Sequence, residues 1–179
     1  MAQTALILPW HGVMPTIASD AFIAPNATVI GDVVIGAESS IWFGTILRGD
    51  VHEIRIGSRT NIQDGTVVHV TAGKFHTHIG SNITIGHGAV IHACTLEDDC
   101  FIGMRATIMD GACVESGAMV AAGALVTPGK VVKKGELWAG SPAKCVRPVS
   151  AEDLAFFPVS AERYCELARE YRRMLAVPS

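Results

Sequence analysis

The chain has 179 residues, of which 49% are hydrophobic, 17% charged and 6% aromatic, and its formal net charge is −3. This length allows one domain with its own core. The near-neutral charge argues against binding to nucleic acid or to an anionic membrane surface. No apolar run reaches the roughly 18 residues that a membrane-spanning helix needs.

The N-terminal segment and the cysteines both favour an intracellular protein. Residues 1–10 contain no basic stretch followed by a cleavage site, so we do not predict a signal peptide. The cysteines number five and form no CxxC pair, which favours reduced thiols over a disulfide framework. We therefore predict a cytoplasmic location.

From Ile17 onward, an aliphatic residue recurs every six residues. A period of six does not fit a helix but fits a short strand followed by a tight turn. Three such units make one triangular coil, and stacked coils form a parallel solenoid; this stretch has room for about seven of them. The repeated positions are Ile17, Ile23, Val29, Ile35, Ile41 and Leu47; Ile56, Ile62 and Val68; Ile79, Ile85 and Ile91; and Leu96, Ile102, Ile108, Val114, Val120, Val126 and Val132.

The six-residue register is interrupted in three places. Three residues are inserted between Leu47 and Ile56, and one is missing between Ile91 and Leu96. The longest insertion contains Thr71–His78, which we expect to form a loop standing off the solenoid. Loops on rigid scaffolds often carry function.

The repeat stops after Trp138, and the C-terminal segment has a helical pattern. We predict a β-helix domain over residues 1–148 and a helical segment over 149–179 that packs on the solenoid. Ser150 is expected to cap a first helix and Ser160 a second. The second would carry one apolar stripe at helical spacing, formed by Tyr164, Leu167, Ala168, Tyr171 and Leu175.

Aligning the coils stacks two histidines on one face. The residue after each aliphatic position points outward, because side chains alternate along a strand. On one face this outward ladder reads Arg48, His69, His92 and Met109. His69 and His92 are then directly stacked on adjacent coils, about 4.8 Å apart. Two imidazoles at that spacing can bind the same metal ion.

His87 lies at the corner of a coil, too far along the chain to reach the same metal. Five residues of extended chain separate it from His92, on the order of 15 Å. A neighbouring subunit could supply it instead, through a head-to-tail contact that closes into a ring. We therefore predict a homotrimer with a metal site at each subunit interface.

Polar residues around these histidines are candidates to orient the metal ligands and water. Arg48 is expected to pair with Asp50 or Asp64 and to hold the interface together. Gln63 is the better candidate to hydrogen-bond a metal-bound water.

As a set, these residues resemble the γ-class carbonic anhydrases, in particular short bacterial members. The hexapeptide repeat alone is weak evidence, because many acyltransferases share it, but the combination covers nearly the whole chain. The stretches that carry the resemblance are Leu47-Arg48-Gly49-Asp50, Asn61-Ile62-Gln63-Asp64-Gly65, Val68-His69, Ile85-Gly86-His87, Ile91-His92-Ala93-Cys94 and Ile102-Gly103-Met104.

The resemblance implies an all-β solenoid, a left-handed parallel β-helix of hexapeptide repeats with a C-terminal α-helix. It implies reversible hydration of carbon dioxide to bicarbonate by metal-bound hydroxide. Zinc is the first choice of metal, and iron or cobalt also suits imidazole ligands. By resemblance the metal ligands are His69, His87 and His92, with His87 from the neighbouring subunit, and the catalytic residues are Arg48, Asp50, Asp64, Asn61, Gln63 and Tyr164.

The chain departs from the family pattern where acidic residues would move protons out of the site. Val51 stands directly after the Arg48–Asp50 motif, and Ala72 stands three residues beyond the first ligand. Glu166 also replaces an asparagine of the founding type. We therefore expect modest activity, with His76 or His78 as the candidate proton carriers.

Two other functions remain open. A hexapeptide acyltransferase would use a histidine as general base on an acyl-CoA substrate, but it gives no reason for a second histidine stacked on the first. A non-catalytic, metal-stabilised trimer could serve as a subunit of a larger assembly or bind a small ligand. Metal analysis together with a carbon dioxide hydration assay distinguishes these functions.

Overall fold

Short parallel strands stacked in three columns form the body of the molecule. The computed structural model describes residues 4–176 and contains a solenoid of about seven turns followed by one helix. It is a left-handed parallel β-helix of hexapeptide repeats: the repeat predicts the parallel solenoid, and the family resemblance implies its left hand. The strands are β1 Leu6–Leu8, β2 Thr16–Ile17, β3 Phe22–Ile23, β4 Thr28–Ile35, β5 Ser40–Ile41, β6 Ile46–Ile56, β7 Asn61–Ile62, β8 Val67–His69, β9 Thr77–Ile79, β10 Thr84–Ile85, β11 Val90–His92, β12 Thr95–Leu96, β13 Phe101–Ile102, β14 Thr107–Ile108, β15 Cys113–Val114, β16 Met119–Val120, β17 Leu125–Val126, β18 Val131–Val132, β19 Glu136–Gly140 and β20 Ala143–Pro148.

The strands divide into three faces. The first face is an eight-stranded sheet in the order β20-β19-β16-β13-β10-β7-β5-β3. The second face contains β8, β11, β14 and β17, and the third contains β9, β12, β15 and β18. These two faces join into one sheet because the long strands β4 and β6 run from one to the other.

The repeated aliphatic residues fill the interior as vertical columns. On the first face Ile41, Ile62, Ile85 and Ile102 are successive register partners, and on the second so are Leu47, Val68, Ile91 and Ile108. All eight are completely buried. Hydrophobic burial along these columns stabilises each coil against its neighbours.

Glycine at the coil corners allows the turns to stack closely. A Cβ added at Gly86 would lie 2.6 Å from the backbone nitrogen of Met104 on the next turn. No side chain fits at that distance, so the corner before His87 depends on glycine.

The two insertions in the repeat have different structures. The residues inserted after Leu47 extend β6 into an eleven-residue strand. The longer insertion is predicted from the sequence to be a loop over Thr71–His78. The loop ends earlier, because Thr77 and His78 belong to β9. The loop itself is closed by a bridge in which Thr71 N–H donates to the Phe75 carbonyl over 3.0 Å.

One helix, α1 Ala151–Leu175, follows the solenoid. Ser150 caps it as predicted: its Oγ accepts from the Asp153 N–H (3.1 Å), and the Asp153 carboxylate accepts from the Ser150 N–H (3.0 Å). The prediction that Ser160 starts a second helix is wrong. Ser160 lies inside α1, and its buried hydroxyl is 2.9 Å from that of Thr84 on the first face.

The helix packs along the first face. Tyr164, Leu167, Ala168 and Tyr171 contact the core as the apolar stripe predicts, whereas Leu175 is 47% exposed. The division into a solenoid over 1–148 and a helical segment over 149–179 stays a prediction, and residues 1–3 and 177–179 lie outside the described part. Within residues 4–176, no helix is long and apolar enough to cross a membrane.

Candidate metal centre

The stacked histidines lie where the repeat predicts them. His69 on β8 and His92 on β11 are register partners on the second face. Their ring centroids lie 5.2 Å apart, and the ring planes are tilted by 55° to each other. Nδ1 of His69 lies 3.2 Å from Nε2 of His92, and both side chains are partly exposed.

An aspartate bonds the other nitrogen of each ring. Nε2 of His69 donates to Oδ1 of Asp50 over 3.0 Å, and Nδ1 of His92 donates to Oδ1 of Asp110 over 2.7 Å. Burial opposes ionisation of Asp50, but hydrogen bonds from His69 and Arg48 outweigh it and lower its pKa. The pKa of Asp110 is also lowered, mainly by a hydrogen bond from Thr71 and further by one from His92.

These two carboxylates determine which nitrogens are available for a metal. Both carboxylates accept a hydrogen bond from their histidine, so in the neutral rings Nδ1 of His69 and Nε2 of His92 are the nitrogens with lone pairs. Two lone pairs then face each other across 3.2 Å. That is close to the separation of about 3.3 Å expected for two nitrogens on one tetrahedral zinc ion. The donor set of the described residues therefore fits a divalent metal.

His87 has the same kind of carboxylate partner at a different place. It lies at the corner after β10, where its Nδ1 is 2.8 Å from Oδ2 of Asp64. About half of the His87 side chain is exposed. With Nδ1 donating to Asp64, Nε2 is the nitrogen that remains for a metal.

His87 does not join the stacked pair within one chain. Among residues 4–176, Glu53, His76 and His78 form the only group of three or more potential ligand residues whose ligand atoms all lie within 4.8 Å of one another. The predicted site residues are thus split into two groups. The paired-histidine group contains Arg48, Asp50, His69 and His92, and the corner group contains Asn61, Gln63, Asp64 and His87.

Arg48 forms an ion pair with Asp50, one of its two predicted partners. The Asp50 carboxylate therefore accepts from both Arg48 and His69. Asp64, the other predicted partner, bonds His87 instead, and Arg48 makes no ion pair with it within the described residues of one chain.

Asn61 and Gln63 lie below the surface of the single chain. Both side chains are buried, and Gln63 Nε2 donates to Asn61 Oδ1 over 3.0 Å. Asn61 Nδ2 donates in turn to Thr84 Oγ1 over 2.9 Å, and Thr84 contacts Ser160 of the helix. This buried chain of hydrogen bonds fixes the corner group relative to α1.

Tyr164 lies beside the corner group. Its ring packs edge-on against Trp42, with centroids 5.4 Å apart. Burial raises the pKa of Tyr164, and the nearby charge of Asp64 raises it further. The helix thus places a neutral phenol near Asp64.

Asp110 bonds His92 directly but is not among the site residues predicted from the sequence. Asp110 lies at the corner after β14, where alternation along the strand no longer sets the direction of a side chain. The sequence offers one signal for Asp110: it directly follows Met109, which is aligned with His92 in the outward ladder.

Comparisons with known proteins agree with this fold. The family described as "Bacterial transferase hexapeptide (six repeats)" matches residues 14–49, and "Hexapeptide repeat of succinyl-transferase" matches residues 94–128. A solved structure of a hexapeptide transferase family protein from Anaplasma phagocytophilum has a TM-score of 0.89 and 52% identity, and the match covers 93% of this chain and 98% of that one.

Four of the curated relatives carry the name carbonic anhydrase, and two of them show the range of similarity. Gamma carbonic anhydrase 1, mitochondrial, of Arabidopsis thaliana is 51% identical over 92% of this chain, which spans 62% of the length of that relative. Carbonic anhydrase of Geobacillus kaustophilus is 41% identical over 94% of this chain and 92% of its own length. The chain therefore belongs to the γ-class carbonic anhydrase family, and this kinship implies a metal cofactor.

Proposed function

We propose that the chain forms a homotrimer that binds one divalent metal at each subunit interface and catalyses reversible hydration of carbon dioxide to bicarbonate. The observation that carries this proposal is the pair of histidine nitrogens, on His69 and His92, that face each other across 3.2 Å. In an acyltransferase one histidine would be enough, whereas a metal site uses both. The third ligand is His87 of the neighbouring subunit.

The metal would supply a nucleophile at neutral pH, because a zinc ion with imidazole ligands lowers the pKa of bound water to about 7. Zinc is the first choice, and iron or cobalt would fit the same imidazoles. The aspartates hold each ring in the tautomer that binds metal: Asp50 for His69, Asp110 for His92 and Asp64 for His87.

The remaining site residues orient water and hold the subunits together. Gln63 is fixed by Asn61 and is the candidate to hydrogen-bond a reacting water. Arg48 and Asp50 form an ion pair that would lie at the interface, and Tyr164 would line the site from the helix side.

An exposed apolar column supports assembly through the second face. Ile46, Val67 and Val90 are consecutive in one outward ladder and are 36–38% exposed, and Leu6 continues the ladder beyond Thr28. The column runs beside the stacked histidines, since Val67 and Val90 precede them by two residues. A neighbouring subunit that covers it would remove apolar surface from water and bring its own His87 to the pair.

Proton export is the weak step of the proposed reaction. Val51 and Ala72 are exposed and stand where the family pattern has acidic residues, and neither side chain exchanges protons. We therefore propose a modest rate that depends on external buffer. A cytoplasmic location stays a prediction, in keeping with five free cysteines.

Two other functions are tested alongside. The Anaplasma relative is named a hexapeptide transferase family protein, which keeps an acyltransferase as a second candidate. A non-catalytic, metal-stabilised trimer is a third, favoured by Val51 and Ala72.

The test compares the wild-type protein with His69→Ala and with His11→Ala, which removes an exposed histidine outside both groups. Each protein is loaded separately with zinc, iron(II) and cobalt(II) under reducing, anaerobic conditions. Metal content and the rate of carbon dioxide hydration are then measured. We expect His69→Ala to lose one ion per chain and all hydration, and His11→Ala to keep both. A wild-type protein that is fully loaded with each metal but does not hydrate carbon dioxide supports the non-catalytic trimer. A separate assay for release of coenzyme A from acetyl-CoA tests the acyltransferase, and release of coenzyme A supports it.

A further inference from the structure

A second cluster of potential metal ligands lies where the 71–76 loop returns to the third face. It contains Glu53 on β6, His76 at the end of the loop and His78 on β9, each partly buried. One ligand atom from each residue lies within 4.8 Å of the other two. None of the three belongs to the paired-histidine group or to the corner group.

The geometry within this cluster is close to that of a metal site. Nε2 of His78 lies 2.8 Å from Oε1 of Glu53. The rings of His76 and His78 are stacked, with centroids 3.7 Å apart. A tetrahedral zinc ion would separate its ligand atoms by roughly 3.3 Å, so seating one requires the stacked rings to turn their lone pairs toward the ion and His78 to move slightly away from Glu53.

The surrounding charges favour a cation. Glu53 uses its second oxygen, Oε2, to accept from Arg55 over 2.9 Å, and Arg55 also donates to Asp32 over 2.7 Å. Two carboxylates and one guanidinium leave a net negative charge. Arg55 orients the Glu53 carboxylate, as hydrogen-bonding partners of metal-binding carboxylates commonly do.

The neighbouring His52 is not a suitable fourth ligand in this arrangement. Its ring lies 5.8 Å from that of His76. Its Nδ1 accepts from the backbone N–H of Glu53 over 2.8 Å, so the proton of the neutral ring is on Nε2. Both ring nitrogens are then occupied, and the fourth position of the site remains open for water.

We propose that Glu53, His76 and His78 form a second metal site, which binds a divalent cation of the zinc class and ties the 71–76 loop to the solenoid. Two imidazoles and one carboxylate suit zinc, cobalt, nickel and copper better than magnesium or calcium, which prefer oxygen ligands. The ligands come from β6, β9 and the loop between β8 and β9, so a bound ion links three segments. This proposal goes beyond the proposed function and does not depend on it.

The experiment removes the other candidate centre first. The double variant His69→Ala, His92→Ala is stripped with a chelator, dialysed against zinc and analysed for metal. We expect it to keep one zinc per chain, and to lose that zinc when His78→Gln is added. In the otherwise unchanged chain, His78→Gln alone should lower zinc content by one ion per chain. Lys74→Ala, a change in the same loop that removes no ligand, should leave the zinc content unchanged.

Two outcomes overturn the second site: a double variant that binds no zinc although its circular dichroism is that of the folded protein, or zinc content unaffected by His78→Gln in both backgrounds. If the double variant does not fold, the comparison of the wild-type chain with its His78→Gln and Glu53→Gln variants decides. Zinc lost only with His69→Ala supports the interface centre alone, and zinc lost only with His78→Gln supports the second site alone.

Discussion

Nδ1 of His69 and Nε2 of His92 face each other across 3.2 Å, and each ring has an aspartate on its other nitrogen. The solenoid sets this distance, because the two residues are register partners on adjacent strands. The proposed metal-binding pair is therefore formed by the folding of one chain. Only the third ligand, His87, would depend on assembly.

The aspartate behind His92 gives a first prediction. Asp110→Asn removes the negative charge that supports the ring, and it weakens the link to Thr71. We expect the affinity for zinc at the interface centre to fall about 10–100-fold, with fold and trimer retained. Zinc titration measures this in the His78→Gln background, where the second site is removed.

The matched control for this change is Asp98→Asn. Asp98 accepts from the backbone N–H of Ser81 at a different corner over 2.7 Å, so its replacement should leave zinc affinity unchanged. Equal losses of zinc affinity in the two variants would mean that Asp110 only stabilises the turn in which it lies and does not act through His92.

Gln63 and Arg48 are predicted to have separable roles. Gln63→Ala should keep metal and trimer but lower the rate of hydration, because a group that orients water is lost. Arg48→Ala should weaken assembly, because Asp50 loses its cationic partner. Light scattering gives the mass of each variant and stopped-flow mixing gives its rate, and an exchange of the two outcomes would reverse the assigned roles.

The exposed positions Val51 and Ala72 predict a rate limited by proton transfer. Raising the concentration of a small buffer such as imidazole should increase the hydration rate until it saturates. Ala72→Glu should reduce this dependence by placing a carboxylate on the loop. A wild-type enzyme that is already fast in dilute buffer would contradict the prediction and point to His76 and His78 as carriers.

The capping box of α1 gives a prediction about pH. Hydrogen bonds from the Ser150 backbone and from Arg147 lower the pKa of Asp153 to about 2. Because this pKa is lower than the unfolded value of about 3.9, Asp153 stabilises the fold above that value, and the contribution disappears as the pH falls through about 2. Asp153→Asn should lower the melting temperature at pH 7 and make little difference near pH 2. Exposed Glu152→Gln is the control, and an equal loss at both values would contradict this account.

The fold and the stacked histidines can be predicted from the sequence because both depend on one period. Once the aliphatic residues are aligned, outward positions such as His69 and His92 follow by counting. Corner residues do not follow, since their directions depend on turns whose geometry the period does not define. Asp64, His87 and Asp110 each follow an aliphatic residue by two positions, which aligns Asp64 with His87 in one column, but the period does not show that Asp110 at its own corner turns toward His92.

Longer-range packing explains the incorrect predictions. Ser160 is a good helix cap by local preference, but its hydroxyl bonds Thr84 inside a continuous helix. The 71–78 segment looks like a loop by length alone, but Thr77 and His78 pair with Ile54 and Arg55 of β6. In both cases contacts with a distant strand outweigh the local signal.

The central claim is that each interface centre takes His69 and His92 from one subunit and His87 from the next. Co-expression of a His69→Ala, His92→Ala chain with a His87→Ala chain tests it, both in the His78→Gln background so that only the interface centre binds zinc. Neither chain alone should hold zinc, but a closed three-membered ring that contains both has one interface with all three histidines. We expect mixed trimers, isolated by two different affinity tags, to bind one zinc per trimer and to regain hydration. Mixed trimers that bind no zinc, or a His87→Ala trimer that keeps its full zinc content, would contradict the shared site.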